Sequence, residues 1–268
     1  MNNTSKLAIG VAISSLSLSS MSSAANFAMT GGNIRLAANW QNTGDLTTGN
    51  LPTVGDTATI AVAGTMNNQF GGILSGVAIT QTAGAMTASG FNWSSSLASS
   101  SYSLEGGTIT ATGNYNIQNT TFNLSGGTFS FNAQLLSNSA DGTFNVSGNA
   151  IISAVNDFDL RINQDGGTFD IASDWTGSFI SADDDTEADW IAQLVYGAGM
   201  ENAGIAANEN AARRISVGGT DITDANFGNF FVVTANNGGG STLALVPEPS
   251  STALLGLGGL ALLFRRRK

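Results

Sequence analysis

The chain has 268 residues, 34 of them glycine, with no cysteine and no histidine. Only 10% of it is Asp, Glu, Lys or Arg, where an ordinary soluble domain carries about 25%, and nine bases against 19 acids give a net charge of −10. These counts exclude imidazole bases, Ser-His-Asp and Cys-His nucleophiles, thiolate or His-ligated metals and disulfides, and they argue against nucleic acid, which requires a basic face.

The N-terminus opens with Lys6 and the α-amino group, followed by an apolar stretch from Leu7 to Leu18 and the small residues Ser23-Ala24-Ala25. That order and those lengths fit a secretory signal peptide over residues 1–25, cleaved at Ala24 and Ala25. The mature chain is expected to begin near Asn26, after passage through an export translocon.

Asn39-Trp40 is followed by Asn50-Leu51-Pro52-Thr53-Val54-Gly55-Asp56-Thr57-Ala58-Thr59-Ile60. This resembles the entry to β-solenoid regions in large exported bacterial proteins, where a Trp strand and a Pro-x-x-Gly-Asp turn lead into the first coil. Trp40 is expected to cap the apolar end of the stack.

From Asn26 to Asp174 a repeat of Gly, Thr or Ala, then an apolar residue recurs. Its instances are Gly64-Thr65-Met66, Gly84-Ala85-Met86, Gly107-Thr108-Ile109, Gly127-Thr128-Phe129, Gly142-Thr143-Phe144 and Gly167-Thr168-Phe169. On average successive instances stand roughly 21 residues apart, a solenoid period. Inside each unit the period is two: Ile60 and Val62, Val77 and Ile79, Tyr115 and Ile117, Phe122 and Leu124, Phe129 and Phe131, Phe144 and Val146, then Phe158, Leu160 and Ile162, and Phe169 and Ile171. Such alternation predicts short strands with one buried face. Gly and Asn between them supply the corners. The expected fold is all-β: a right-handed parallel β-helix (β-solenoid) over 26–174, with an N-terminal cap, an apolar bore and Thr, Ser and Asn ladders outside.

The pattern changes near Trp175. Asp183-Asp184-Asp185-Thr186-Glu187-Ala188-Asp189 precedes Trp190, Ile191, Leu194 and Val195, an apolar face at helical spacing. A helix is predicted over Thr186 to Tyr196 as a lid on the last coil. Strands are predicted at Arg214 to Val217, Phe230 to Thr234 and Thr242 to Val246, with a turn at Asn236 to Gly240. Residues 175–246 then form a small helix-plus-strand cap.

The tail, 247–268, begins Pro247-Glu248-Pro249. An apolar stretch runs from Thr252 to Phe264, and Arg265-Arg266-Arg267-Lys268 follows. As a helix the stretch covers roughly 20 Å of a hydrocarbon core about 30 Å thick, a short membrane helix. The basic cluster is expected to stay on the cytoplasmic side. Pro-Glu-Pro, an apolar Gly- and Leu-rich helix and an Arg cluster together resemble the PEP-CTERM sorting signal of diderm bacteria that make extracellular polymeric substance. The resemblance implies recognition by an exosortase at Pro247, Glu248, Pro249, Arg265, Arg266 and Arg267, and release to the cell surface or extracellular matrix. The acidic Trp helix and the strand before Pro-Glu-Pro also resemble the C-terminal region of many PEP-CTERM β-helix proteins.

Carboxylates are the conventional catalytic groups left. Asp157, Asp159, Asp165, Asp170 and Asp174 crowd the last coils near Arg161. Paired carboxylates serve as acid and base in glycoside chemistry. Yet Asp157, Asp159 and Arg161 have the outward parity opposite Phe158, Leu160 and Ile162. Asp183-Asp184-Asp185 offers oxygen ligands for Ca²⁺ but lacks the spacing of a Ca²⁺ loop, which favours helix capping. In the body, four Asn-x-Ser/Thr sites, at Asn92, Asn119, Asn123 and Asn145, match the glycosylation sequon in a chain rich in those residues. No catalytic, cofactor-binding or metal residue is assigned. The expectation is a non-enzymatic scaffold of the biofilm surface or matrix. The alternatives are a carbohydrate-binding adhesin that holds extracellular polysaccharide, and a β-helix polysaccharide lyase or hydrolase. Without Lys6 and the Arg265–Lys268 cluster, four bases remain, and 19 or 18 acids give a mature charge of −15 or −14 with no lysine.

Overall fold

The computed structural model describes residues 24–66, 74, 76–89, 91–94, 100–112, 115–118, 120–132, 134–137, 142–154, 159–162, 168–196 and 214–247, with 91–94, 115–118, 134–137, 159–162, 196 and 214 described as backbone. The strands in chain order are β1 (Asn26–Met29), β2 (Gly32–Asn33), β3 (Trp40–Asn42), β4 (Thr57–Ile60), β5 (Gly64–Met66), β6 (Ala78–Gln81), β7 (Ala85–Ala88) and β8 (Phe91–Ser94). Next come β9 (Ser100–Leu104), β10 (Thr108–Ala111), β11 (Tyr115–Gln118), β12 (Thr120–Leu124), β13 (Thr128–Phe131), β14 (Gln134–Ser137), β15 (Thr143–Val146), β16 (Ile151–Ala154) and β17 (Asp159–Ile162). β18 (Thr168–Ile171) and β19 (Ser178–Ser181) precede the helix α1 (Glu187–Ile191). The chain closes with β20 (Arg214–Val217), β21 (Thr220–Asp221), the single turn α2 (Phe227–Phe230), β22 (Phe231–Ala235) and β23 (Ser241–Leu245).

These strands form the sheets of a β-solenoid. One sheet has ten strands in the order β21-β20-β18-β15-β12-β9-β6-β4-β1-β3; a second has nine, β2-β5-β7-β10-β13-β16-β19-β23-β22; a third has four, β17-β14-β11-β8. Successive turns each add a strand to the ten- and nine-stranded sheets, the middle turns also add one to the four-stranded sheet, and neighbours from successive turns pair in parallel. On the ten-stranded sheet, Thr57 pairs with Ala78, Ala78 with Ser101, Thr121 with Ser101 and Thr143, and Thr143 with Thr168. Successive rungs are therefore roughly 20–25 residues apart in sequence, one solenoid coil each. The Gly-Thr-apolar repeat marks this winding but changes face. Its first four instances lead into or lie on β5, β7, β10 and β13 of the nine-stranded sheet, whereas Thr143-Phe144 and Thr168-Phe169 start β15 and β18 of the ten-stranded one. The shortest step of the repeat, from Gly127 to Gly142, is that change of face.

Alternation sorts the side chains as period two requires. Ile60, Val77, Ile79, Phe122, Leu124, Phe129, Phe131, Phe144, Val146, Phe169 and Ile171 are buried in one continuous core, and Val62 is partly buried beside it. Tyr115, Ile117, Phe158, Leu160 and Ile162 fall outside the described side chains. Along the bore Tyr102, Phe122, Phe144 and Phe169 stack rung on rung with ring centroids 5.3, 5.4 and 5.5 Å apart. Phe169 then meets Phe179, which meets Trp190 of the lid. On the outside, Ser103, Asn123, Asn145, Asp170 and Ser216 occupy one register column. Asn123 donates to Ser103 Oγ (3.2 Å), Asn145 to Asn123 Oδ1 (2.8 Å) and Ser216 to Asp170. The outer ladder is therefore hydrogen-bonded as well as polar.

A polar pair faces inward. Gln81 and Tyr102 are fully buried; the Tyr102 hydroxyl donates to Gln81 Oε1, and Gln81 Nε2 donates to the carbonyls of Gly84 and Thr108 at 3.1 Å each. The knot satisfies itself, as a buried amide must. Burial pushes the Tyr102 phenol far above its ordinary value. The unfolded chain gives up this proton near pH 10 while the folded chain keeps it. Stability should therefore fall above about pH 10, by about 1.4 kcal/mol per pH unit from this group. Tyr102→Phe should cost about 1–3 kcal/mol at neutral pH, because Gln81 Oε1 loses its donor, and should flatten the alkaline fall. Denaturant titrations from about pH 8 to 11 read both effects; an unchanged alkaline slope in the variant would contradict the assignment.

Antiparallel strands end the ten-stranded sheet at both edges. Trp40 is fully buried, its indole N–H donates to Ile34 O (2.7 Å), and its strand β3 lies antiparallel on β1 at the sheet edge. At the other end β20 continues the parallel stack on β18, with Arg214 beside Thr168, and the short antiparallel β21 ends it. Arg214–Val217 is thus a further rung of the solenoid. β22 and β23 form a separate antiparallel hairpin, closing the nine-stranded sheet against β19. Antiparallel terminal strands block the pairing of one parallel stack onto another.

Candidate functional site

The described chain ends at the closing hairpin. Phe179 pairs with Leu243 across β19 and β23, and Phe231 with Leu245 across β22 and β23. Leu243 is fully buried. One residue beyond β23 the Val246 amide donates to Phe230 O at 2.8 Å, and Val246 is exposed. Pro247 has no N–H to continue a ladder, so the strand stops there. Pro247 is exposed. Two hollows flank this exit. One, of about 450 Å³, is lined by Asp174, Trp175, Gly177 and residues 244–247; the other, of about 290 Å³, includes Val217, Phe230 and Val246.

The acidic run upstream holds the hairpin in place. Asp184 Oδ1 accepts from the Gly240 amide (2.7 Å) at the start of β23, and the Trp190 indole donates to Ser241 Oγ (3.0 Å). Asp185 Oδ1 accepts from Gln193 (3.2 Å), and burial raises the Asp185 carboxyl above its usual range. The helix is capped one residue further on than the acidic run. Thr186 is the N-cap, in a capping box with Asp189: Asp189 Oδ2 accepts from the Thr186 amide (2.8 Å) and hydroxyl (2.7 Å). Those bonds hold the Asp189 carboxyl below its usual range, the hydroxyl contributing most. The predicted helix Thr186 to Tyr196 is one α-helical segment, α1, followed by a π-helical turn over Ala192–Tyr196. Trp190 and Leu194 carry its buried face.

Of the five crowded carboxylates, Asp157 and Asp165 lie outside the described residues, and Asp159 and Arg161 are described as backbone on β17. Asp170 accepts from Ser216 in the outer ladder, and Asp174 is exposed beside the larger hollow. Asn123 and Asn145, two of the four sequon asparagines, are half-buried members of the same ladder. The exposed large apolar side chains among the described residues are Leu36, Leu46, Val54, Val232 and Val246, none of them aromatic. No group of three or more acidic residues among the described ones is arranged to hold a metal ion.

A family model described as the PEP-CTERM protein-sorting motif matches residues 245–268, starting on the last residue of β23. The chain carries a PEP-CTERM sorting motif. The motif marks an exported protein processed by exosortase. Neither a curated protein nor a solved structure matches the chain. Glu248, Pro249, the apolar stretch from Thr252 to Phe264 and Arg265, Arg266 and Arg267 lie outside the described residues. Among the described residues no helix is long and apolar enough to cross a membrane. Sequence reasoning identified the motif from its three parts. It also ran a predicted strand, Thr242 to Val246, directly into Pro247; it did not reveal that strand's partners, β19 and β22, because they are set by tertiary pairing.

Proposed function

We propose that this chain is a non-catalytic scaffold of the cell surface or extracellular matrix of a diderm bacterium. Its tail holds the exported precursor at the membrane as a short helix. Exosortase then cuts near Pro247-Glu248-Pro249 and frees the solenoid. The observation that carries the reading is the junction of body and signal: a β-solenoid whose ten-stranded sheet is ended by antiparallel strands at both edges, with the PEP-CTERM motif starting on the antiparallel strand that caps the nine-stranded sheet. Cleavage beyond Val246 leaves every described strand intact, so the released body keeps its fold. Its outward columns of Thr, Ser and Asn give a sparsely charged, hydrogen-bonding surface suited to a hydrated matrix.

Incubation of the purified, processed protein with acidic and neutral polysaccharides tests the non-catalytic part. Polymer length should stay unchanged. Depolymerisation that is abolished by Asp159→Ala or Asp165→Ala would overturn the scaffold reading in favour of a lyase or hydrolase.

A further inference from the structure

Asp56 is a buried carboxylate, 7% exposed, in the turn that opens the first coil. It accepts three hydrogen bonds: Oδ2 from the Thr53 amide (2.7 Å) and hydroxyl (3.0 Å), and Oδ1 from the Ala25 amide (2.8 Å). None of these donors carries a charge in the uncut chain, although a buried carboxylate is stabilised most by a cationic donor. Ala25 is built into the first rung as well. Its carbonyl accepts from the Thr57 amide (3.0 Å), it packs against the core, and Ala24 before it is exposed.

Two bonds satisfy the small-residue rule for signal cleavage: Ala24–Ala25, with Ser22 and Ala24 on its N-terminal side, and Ala25–Asn26, with Ser23 and Ala25. They leave different proteins. Cutting after Ala25 removes the residue that serves Asp56. Cutting after Ala24 keeps that residue and gives it a positive charge.

We propose that signal peptidase hydrolyses the Ala24–Ala25 bond and that the freed α-ammonium of Ala25 forms a part-buried ion pair with the Asp56 carboxylate. Water supplies hydroxyl to the Ala24 carbonyl carbon, and the C–N bond breaks. The released peptide ends in a carboxylate, and the Ala25 nitrogen, now an amine, takes up a proton. The Ala25 nitrogen that donates to Asp56 Oδ1 thus changes from a neutral amide to an ammonium. Export thereby supplies the counter-charge that the first turn of the body lacks. The inference rests on the export reading.

The full chain, with its leader and tail, is expressed in a diderm host and recovered from outside the inner membrane; the mass of its N-terminal peptide is measured. The expected first residue is Ala25. A first residue of Asn26 overturns the inference and leaves export intact, whereas an uncut Met1 sinks the export reading with it. The ion pair has its own readout. Among residues 25–246 there is no lysine, so an amine-reactive acetylating reagent reaches the α-amino group of the body alone. Acetylation should run about ten-fold slower in the folded protein than in urea, and the acetylated protein should unfold with an equilibrium constant about five-fold larger. Equal reactivity folded and unfolded, or an unchanged unfolding constant, would overturn the pair. Neither reading needs a variant at Asp56, so a failure of Asp56→Asn to fold does not blunt the test.

Discussion

Phe122→Ala should lower the stability of the solenoid by about 3–5 kcal/mol, the range for emptying a well-packed aromatic site. Phe122 is fully buried at the meeting point of the bore's rings: Tyr102 at 5.3 Å, Phe144 at 5.4 Å and Phe129 at 5.6 Å. Its strand β12 is hydrogen-bonded on both sides, to β9 and β15, so the backbone cannot move in to fill the space. Solenoid stability is a sum of neighbouring contacts, so the damage should spread outward from this rung. Hydrogen exchange should show protection lost first in β9, β12 and β15. Phe122→Leu, which keeps most of the volume, should cost about 1.5 kcal/mol or less. A cost below about 1 kcal/mol for the alanine variant would contradict the stacked bore.

Gly107→Val should be nearly as damaging, through the backbone. Gly107 has φ +78°, and a Cβ placed on it would lie 2.3 Å from the Gly84 carbonyl oxygen and 2.7 Å from the Ala83 carbonyl carbon. Both are backbone atoms of the turn below, so no side chain can rotate aside. The same Gly84 oxygen accepts from the Thr108 amide at 2.9 Å. The substitution combines left-handed strain of about 1–2 kcal/mol with a clash that spreads two rungs, on the order of 4 kcal/mol in all. Gly219 supplies the control. It has the same φ of +78° with nothing within 4 Å of its Cβ position. Gly219→Ala should cost only the strain. Denaturant midpoints of the two variants separate the terms; equal costs would mean that the corner glycines serve conformation alone and not the close stacking of turns.

These two positions also show what sequence reading reaches. Strict alternation at Phe122 and Leu124 or Phe144 and Val146 is a local signal, and it correctly gave strands, the buried face and the outer ladder. Gly107 is readable as a corner because the Gly-Thr-apolar repeat surrounds it. The same tripeptide leads into strands of two different sheets, and spacing alone cannot say which. Gln81 and Tyr102 were missed for the opposite reason. A glutamine at an inward position breaks the apolar pattern, and its partner lies 21 residues away on the next rung. The Arg214–Val217 strand was found, but not its place on β18, because a long stretch of chain separates the two. The Pro-x-x-Gly-Asp turn stood out in the sequence. The task of its Asp56 did not, because the Ala25 donor lies 31 residues upstream.

The most direct test of the whole account is the mass of the C-terminus of the native protein, recovered from a host with its exosortase and from the same host lacking it. With exosortase, every mature molecule should have lost Arg265 to Lys268 and should end near Pro247-Glu248-Pro249, just past the strand Ser241–Leu245. Without exosortase, the tail should stay on and the protein should stay with the membrane. An intact Arg265-to-Lys268 end on mature molecules from the exosortase-containing host would contradict it.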